Sequence, residues 1–272
     1  MWEMTRTFLF LDGRPQPAET AGSLADASAQ LPEGSYTTLR TYGGTGVVRL
    51  ARHVQRLVES LPLNRQAALD PELLRAALVH ALRETGHPES RLRVTYAPPQ
   101  LFVSVEPFTP PDPAQEKTGV ACMTMRERRD RPEAKDTRFL ATARDAYAAM
   151  PAMVHEGLMV GDDGAILEGL SSNFFAIRNG RLHTEEERAL AGVTRSMVLE
   201  LAEGVVPRGQ GAVHVNEVGG LAEAFITSVS REILPVVRID GMVIGDGRPG
   251  PVTGRLIGAF RDAVSRETER LF

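Results

Sequence analysis

Side-chain amines are scarce in this chain, and amines are the groups that form covalent imines with carbonyl compounds. Lysine occurs only at Lys117 and Lys135, while arginine supplies the rest of the 31 basic residues. Biased codon usage in the genome is the ordinary explanation for the replacement of lysine by arginine. Its chemical consequence is that any reaction that needs a side-chain amine has two candidates.

Several common catalytic motifs are missing from the sequence, which excludes the reactions that those motifs support. There is no GxxxxGK phosphate loop, no HExxH zinc helix and no GxSxG nucleophile elbow. The glycine-rich stretch GGTGVV at 43–48 is interpreted as a turn that connects two segments. We therefore expect neither a nucleotide-binding loop nor a metal site.

The composition is that of an ordinary globular protein. The chain has 272 residues, of which 42% are hydrophobic and 24% are charged, and its formal net charge is -4. This charge offers no broad basic surface for nucleic acid. The apolar run in MWEMTRTFLFLDG is too short for a signal peptide, and no apolar stretch is long enough to span a membrane. With a single cysteine, Cys122, the protein is expected to be cytoplasmic.

Segments spread along the whole chain form a recognisable series. They are RHVQRL at 52–57, Lys135 with Leu140 after it, ILEGLSSNFFAI at 166–177, AGVTR at 191–195 and FITSVSREILPV at 225–236. An LDG turn precedes the series near the N-terminus, and IDG follows it. Together these segments resemble the class IV aminotransferases, the family that contains branched-chain and D-amino-acid aminotransferases and aminodeoxychorismate lyase.

The resemblance implies an enzyme that uses pyridoxal 5'-phosphate, and it gives three residues central roles. Lys135 has the position of the lysine that tethers the cofactor as a Schiff base. Glu168 stands where the family places a carboxylate against the pyridine nitrogen, which keeps that nitrogen protonated. Tyr36 has the position of an aromatic residue that lies over the active lysine.

The same resemblance implies how the cofactor phosphate is bound. Arg56 of RHVQRL would contact the phosphate as a cation. Val193 and Thr194 open a helix whose N–H groups and dipole suit a dianion, although Thr194 would also be a good N-cap without any ligand. Thr227 and Ser228 would close the site, and either the Val229 amide or the nearby Ser230 would replace the threonine hydroxyl that many relatives have at the position of Val229.

The expected substrate pocket departs from the pattern of the relatives. Alternation along SYTTLR places Tyr36, Thr38 and Arg40 on one face of a strand, and that face is the candidate pocket. Arg93 and Tyr96, in the strand RLRVTYA, are further candidates for substrate binding. Alternation puts these two on opposite faces of their strand, and the sequence leaves open which face looks inward.

No subfamily pattern is matched in full. D-amino-acid aminotransferases have arginine at the position of Tyr96, branched-chain enzymes have tyrosine at that of Leu140, and the lyases have asparagine at that of Arg138. The leading hypothesis is transfer of an amino group from a small amino acid to a 2-oxo acid through Lys135. The alternatives are a lyase-type elimination that releases pyruvate and a homologue that binds the cofactor without catalysis.

Hydrophobic periodicity predicts the elements that position these residues. Strands are predicted at TRTFLFLDG, SYTTLRTY, RLRVTYA, LFVSVEPF and GVACMTM, in hairpins through 157–184, and at EAFITSV. Helices are predicted at LARHVQRLVESL, PELLRAALVHALRETG and RFLATARDAYAAM, from Thr194 onward, and at the C-terminus to Phe272. Pro71 suits the first turn of its helix and Gly86 suits the end. The proline-rich PFTPPDPAQEKTG predicts an interdomain linker.

These elements predict an α/β domain over residues 1–109 and a second domain over residues 110–272, and the resemblance implies that the second domain binds pyridoxal phosphate. The resemblance implies fold type IV, an α/β (α+β) architecture with a smaller N-terminal α/β lobe and a larger C-terminal lobe of mixed, barrel-like sheet. It also implies a homodimer that acts on small amino acids and oxo acids. We expect no nucleic-acid and no membrane partner.

Overall fold

Strands and helices alternate along the computed structural model, which describes residues 5–129 and 131–272; the first four residues of the N-terminal segment lie outside it. The first elements are β1 (Arg6–Leu11), β2 (Arg14–Ala18), α1 (Leu24–Ala29), β3 (Ser35–Arg40), β4 (Gly46–Val48), α2 (Leu50–Leu63), α3 (Pro71–Thr85), β5 (Ser90–Ala97), β6 (Gln100–Pro107) and α4 (Pro113–Thr118). They are followed by β7 (Val120–Met125), α5 (Arg138–Ala149), β8 (Glu156–Val160), β9 (Ile166–Gly169), β10 (Asn173–Arg178), β11 (Arg181–His183), α6 (Val193–Ala202), a 3-10 helix (Val215–Gly220), β12 (Glu223–Ser228), β13 (Glu232–Ile239), β14 (Met242–Val243), α7 (Pro251–Glu267) and β15 (Thr268–Arg270).

The chain divides into two compact units. Unit 1 contains the described part of Met1–Thr109 together with Ala134–Ala141 and Arg266–Phe272, and unit 2 contains that of Pro110–Glu133 and Thr142–Ser265. Lys135 therefore lies in unit 1, although the expected domain of residues 110–272 would include it. The domain boundary at residue 109 stays a prediction, because compactness does not show that a unit folds alone.

Unit 1 is built on an antiparallel sheet in the order β2-β1-β6-β5-β3. Helices α2 and α3 pack on one face of this sheet, where leucine and valine side chains such as Leu39, Leu57, Leu78 and Val94 form the core. Because side chains alternate along a strand, Tyr36 and Thr38 of β3 and Arg93 of β5 point to the opposite face, which is called the polar face below. The core face carries polar side chains as well, since the Thr37 hydroxyl lies beside His53 of α2.

Helix α3 shows how closely local signals set the boundaries. Its N-cap Asp70 accepts a hydrogen bond from the Glu72 amide, and Pro71 fills the first helical position, where no N–H is needed. Gly86 ends the helix at a φ of 62°, in the left-handed region that glycine adopts without strain. The predicted start and end of this helix are confirmed.

Unit 2 contains a mixed sheet in the order β11-β10-β12-β13-β7-β8-β9. Strand β7 is parallel to both β13 and β8, and the other neighbours are antiparallel. A pairing of Asn173 in β10 with Glu168 in β9 joins the sheet back on itself. The predicted mixed, barrel-like sheet is confirmed, and Phe174, Ile226 and Leu234 lie in its core.

Some predicted boundaries are wrong. The C-terminal helix ends at Glu267 instead of Phe272, because the following residues pair as β15 with β4. The expected linker contains α4, since Asp112 caps its first turn and Pro113 follows the cap. Helix α6 begins at Val193, one residue before the predicted start.

A helix that crosses a bilayer needs about 20 predominantly apolar residues. Across residues 5–129 and 131–272, no helix combines the length and the apolar character that crossing a membrane requires.

Candidate active site

Lys135 is held against β3 in unit 1. The Tyr36 amide donates to the Lys135 carbonyl at 2.9 Å, and the Lys135 amide donates to Ser60 Oγ at 3.2 Å. With its backbone fixed on both sides, the lysine places Nζ 4.5 Å from the centroid of the Tyr36 ring. The lysine is half-buried, whereas Lys117 is exposed on α4.

A second cation, Arg56, lies near a neutral histidine in the same unit. Arg56 Nη2 donates to Thr37 Oγ1 at 2.9 Å, and that oxygen lies 3.1 Å from His53 Nδ1. Burial lowers the pKa of His53 well below its ordinary value, and the Arg56 and Lys135 cations lower it further. The imidazole is therefore neutral near pH 7, and these two positive charges create a field that attracts anions.

The polar face of β3 and β5 brings three predicted pocket residues together. Thr38 is directly opposite Arg93 in the sheet, and Arg93 Nε donates to Thr38 Oγ1 at 3.5 Å. Arg93 Nη1 donates to Ser28 Oγ at 2.8 Å, and its guanidinium carbon lies 5.2 Å from the Tyr36 ring centroid. Both of these hydrogen bonds go to hydroxyls and not to a carboxylate. Burial lowers the pKa of this arginine.

Of the other two predicted pocket residues, Tyr96 lies on the core face, whereas Arg40 lies farther along the polar face. Tyr96 packs in the core of unit 1, and its hydroxyl donates to the Ala68 carbonyl at 3.1 Å. Arg40 stacks on two aromatic rings, with its guanidinium carbon 4.1 Å from Tyr42 and 5.2 Å from Phe108. The polar face therefore carries Arg93, whereas the Tyr96 side chain belongs to the core face, and the expectation that Tyr96 contacts substrate stays a prediction.

Glu168 is a buried carboxylate in β9 of unit 2, with a relative exposure of 2%. Its Oε1 accepts from Arg129 Nε at 3.1 Å. Its Oε2 accepts from Asn173 Nδ2 at 3.3 Å and from the Leu190 amide at 3.1 Å. The sequence indicated Glu168 but not Arg129, because an arginine-rich stretch is ordinarily a solvated one.

The start of α6 approaches the residues around Glu168. Gly192 is its N-cap, followed by Val193 and Thr194, and glycine has no side chain with which to cap the first N–H groups. A Cβ at Gly192 would lie 2.2 Å from Asn173 Oδ1, so any other residue there would displace the Asn173 side chain. Because Asn173 also holds Glu168, the helix start and the carboxylate are positioned by one side chain.

The turn between β12 and β13 carries the other predicted phosphate-binding residues. Ser228 Oγ accepts from the amide and the Nε of Arg231 at 3.2 and 3.3 Å, and Val229 follows it, half-buried. Thr227 is 1% exposed, and its Oγ1 has no hydrogen-bond partner within the described part of the chain. A buried hydroxyl without a partner is uncommon, and it indicates a place for a polar ligand.

A buried network beside this turn was not foreseen from the sequence. Arg231 Nη1 pairs with Glu156 Oε2 at 2.8 Å, and Glu156 is fully buried. Tyr147 donates to Glu156 Oε1 at 2.5 Å, and Ser172 donates to Oε2 at 2.9 Å. Burial alone would lower the pKa of Arg231, but the adjacent Glu156 and Tyr147 raise it above the ordinary value.

Most of these residues lie in a region that matches a known protein family. Residues 34–239 match the family described as Amino-transferase class IV. The chain belongs to this family. The resemblance inferred from the sequence segments is therefore confirmed, and it extends over most of both units.

Individual relatives of this class IV aminotransferase act on different amino acids. The D-alanine aminotransferase of Bacillus licheniformis is 29% identical over 275 residues, covering 93% of this chain and 95% of that protein. The branched-chain-amino-acid aminotransferase of Pseudomonas aeruginosa is 39% identical over 116 residues, or 42% of this chain and 38% of that protein. The branched-chain aminotransferase of Thermoproteus uzoniensis, solved with norvaline, shares the fold, with a TM-score of 0.79, 22% identity, and coverage of 98% and 100%.

The family assignment establishes the type of reaction. This aminotransferase is a pyridoxal-phosphate-dependent enzyme that transfers amino groups. The comparisons do not favour elimination or binding without catalysis.

The residues of the aminotransferase suit a phosphorylated cofactor. Within unit 1, Lys135 and Arg56 are cations beside a neutral imidazole. Within unit 2, the Thr227 hydroxyl is buried without a partner among the described residues. An amine for the carbonyl group, positive charge for the phosphate and an additional hydroxyl are the groups that such a ligand requires.

Proposed function

We propose that Lys135 is the residue that holds pyridoxal 5'-phosphate and that moves the substrate proton. The observation that supports this role is the placement of Lys135 Nζ 4.5 Å from the Tyr36 ring centroid, on a half-buried and doubly hydrogen-bonded segment. The competing amine, Lys117, is exposed on a short surface helix. Tyr36 orients the lysine side chain and keeps bulk water from one side of it.

The phosphate is held, in this proposal, by Arg56, by the amides of Val193 and Thr194, and by Ser228 and Val229. The positive field near His53 supports the part assigned to Arg56. The glycine cap of α6 supports the part assigned to the helix amides, since it leaves their N–H groups to a ligand. The Thr227 hydroxyl, which has no hydrogen-bond partner among the described residues, lies next to Ser228 and supports an anion at this turn.

Glu168 holds the proton at the ring nitrogen of the cofactor in this proposal. Its burial and its donors on both oxygens keep the carboxylate in one orientation. When bound, pyridoxal phosphate supplies an electron sink for the bond that breaks at the substrate Cα. Lys135 then carries the proton between the substrate Cα and the cofactor carbon that receives it.

The proposed amino donor is a small amino acid, and the acceptor is a 2-oxo acid. Arg93, with Thr38 and Tyr36 beside it, offers a half-buried cation for one carboxylate. Arg40 contributes charge farther along β3, where it stacks on aromatic rings. The names of the relatives, D-alanine and branched-chain aminotransferases, describe small amino acids with uncharged side chains, in agreement with a single carboxylate.

The proposal also includes the state of the protein in the cell. By family resemblance, we infer a homodimer in the cytoplasm. A single buried cysteine, Cys122, agrees with a reducing compartment. Light scattering of the purified protein should give the mass of two chains, and a single-chain mass at micromolar concentration would contradict the dimer.

Borohydride reduction tests the assignment of Lys135. Reduction of the loaded protein should fix the cofactor to one peptide, because the carbon–nitrogen double bond becomes a stable amine. We expect the label on the peptide that contains Lys135, and Lys135→Ala should take up none. A label on Lys117, which the Lys117→Arg control would abolish, contradicts the assignment.

A further inference from the structure

One arginine in the segment before Lys135 differs sharply from its neighbours. The Arg129 side chain is 7% exposed and pairs with Glu168, which is 3% exposed. Arg128, next to it, is 54% exposed. Removing two opposite charges from water costs several kcal/mol for each ion, so a buried pair forms only where geometry and further hydrogen bonds compensate. Exposed charges are enough to keep a protein soluble, so solubility does not explain this buried pair.

Donors from three segments of unit 2 meet at the Glu168 carboxylate. Arg129 Nε reaches Oε1 from the segment after β7. Asn173 Nδ2 in β10 and the Leu190 amide, just before α6, reach Oε2. The carboxylate is thus held from both sides, and Arg129 brings positive charge to it, whereas the amide donors are neutral.

We propose that Arg129 is a positioning residue for Glu168, holding the carboxylate ionised and oriented for the ring nitrogen of the cofactor. The inference rests on the proposed role of Glu168. A buried carboxylate is costly without a compensating charge, and Arg129 provides that charge before any cofactor binds. The planar guanidinium also restricts the carboxylate orientation more than a lysine ammonium could.

The test compares two cofactors that differ only at the ring nitrogen. Pyridoxal 5'-phosphate and its 1-deaza analogue, which has carbon at that position, are titrated into dialysed protein, and bound cofactor is followed by absorbance. Wild-type protein should prefer pyridoxal phosphate about ten- to a hundredfold, the value of a hydrogen bond to a charged group. Arg129→Met should lose most of this preference, while its affinity for the analogue should change little.

Matched variants separate positioning from general damage. Arg128→Met removes an exposed arginine from the same segment and should keep the wild-type preference. Arg129→Lys retains the charge without the planar group, and it should keep part of the preference for pyridoxal phosphate. If Arg129→Met does not fold, Arg129→Lys takes its place in the comparison with wild-type protein. Equal weakening of both cofactors in the Arg129 variants, or an unchanged preference, would overturn the proposal.

Failure of this inference can be told apart from failure of the proposed function. Glu168→Gln should abolish the preference for the ring nitrogen. If Glu168→Gln behaves like wild-type protein, the proposed role of Glu168 is wrong. If Glu168→Gln loses the preference while Arg129→Met and Arg129→Lys keep it, Glu168 acts without Arg129, and only this inference is wrong.

Discussion

The imidazole of His53 is a neutral group beside two cations in unit 1. Because Arg56 donates to Thr37 Oγ1, the Thr37 hydroxyl proton is available to Nδ1 of a neutral His53. A protonated ring could not accept it, and it would add a third positive charge. The burial that lowers the pKa of His53 therefore also preserves the hydrogen bonds that orient Arg56.

This arrangement predicts how stability depends on pH. The folded pKa of His53 is lowered, so below about pH 6.5 the unfolded chain binds a proton that the folded chain does not. The free energy of unfolding should therefore fall as the pH decreases through that value. His53→Asn, which stays neutral, should show a shallower fall, by up to about 1.4 kcal/mol per pH unit.

Urea unfolding between pH 7.5 and 5 would measure this difference. Every variant should be compared at the same cofactor loading, since bound ligand changes apparent stability. His80→Gln is the control, because it removes a half-buried imidazole elsewhere in unit 1. Parallel pH curves for wild-type protein and His53→Asn would show that His53 does not take part in this pH dependence.

Elements of unit 2 are joined at one buried ion pair. Glu156 begins β8, Arg231 precedes β13, Tyr147 lies in α5, and Ser172 follows β9. The turn that carries Ser228 is bonded to the same arginine. The proposed phosphate-binding turn therefore depends on the positions of three other elements.

Breaking this pair should destabilise the protein strongly. Arg231→Met leaves Glu156 buried without its cation, and the expected loss in the free energy of unfolding is about 3 to 5 kcal/mol. The double variant Glu156→Gln/Arg231→Met should recover part of that loss. Denaturant unfolding gives these values, and Arg238→Met, which removes an exposed arginine of β13, should change stability little. A loss no larger than that of Arg238→Met would contradict a structural role for the pair.

The whole molecule is an aminotransferase, so a single amino acid should carry it through half of its reaction. A small amino acid added without oxo acid should bleach the visible absorbance of the loaded enzyme once, with one oxo acid formed per site. Addition of 2-oxoglutarate or pyruvate should restore the absorbance. Lys135→Ala, which lacks the proposed proton carrier, is the control. Continuous release of pyruvate without bleaching would indicate elimination.

The choice of substrate is also a property of the whole molecule. Arg93→Met should raise the KM for the amino donor, because the half-buried positive charge of Arg93 is the proposed partner of the carboxylate. Tyr96→Phe removes only a hydroxyl that bonds to the Ala68 carbonyl, and it should leave the KM near the wild-type value. An equal effect of both substitutions would place the carboxylate elsewhere.

The sequence by itself determined the local elements and the candidate chemistry. Pro71 and Gly86 fixed the ends of α3, because caps and turn residues act through their own backbone conformation. The scarcity of lysine reduced the possible tethers to Lys117 and Lys135. The order of the motifs identified the family, because a motif is recognised from its own residue types without knowledge of its tertiary contacts.

Only the tertiary structure decided which polar side chains meet. Alternation put Arg93 and Tyr96 on opposite faces, but the packing of α2 and α3 decided that Tyr96 faces the core. The pairs of Arg129 with Glu168 and of Glu156 with Arg231 join residues 39 and 75 positions apart in the sequence. Such contacts depend on strand register and on burial, and hydrophobic periodicity along the sequence predicts neither of them. Burial matters because it raises the free-energy cost of every unpaired charge.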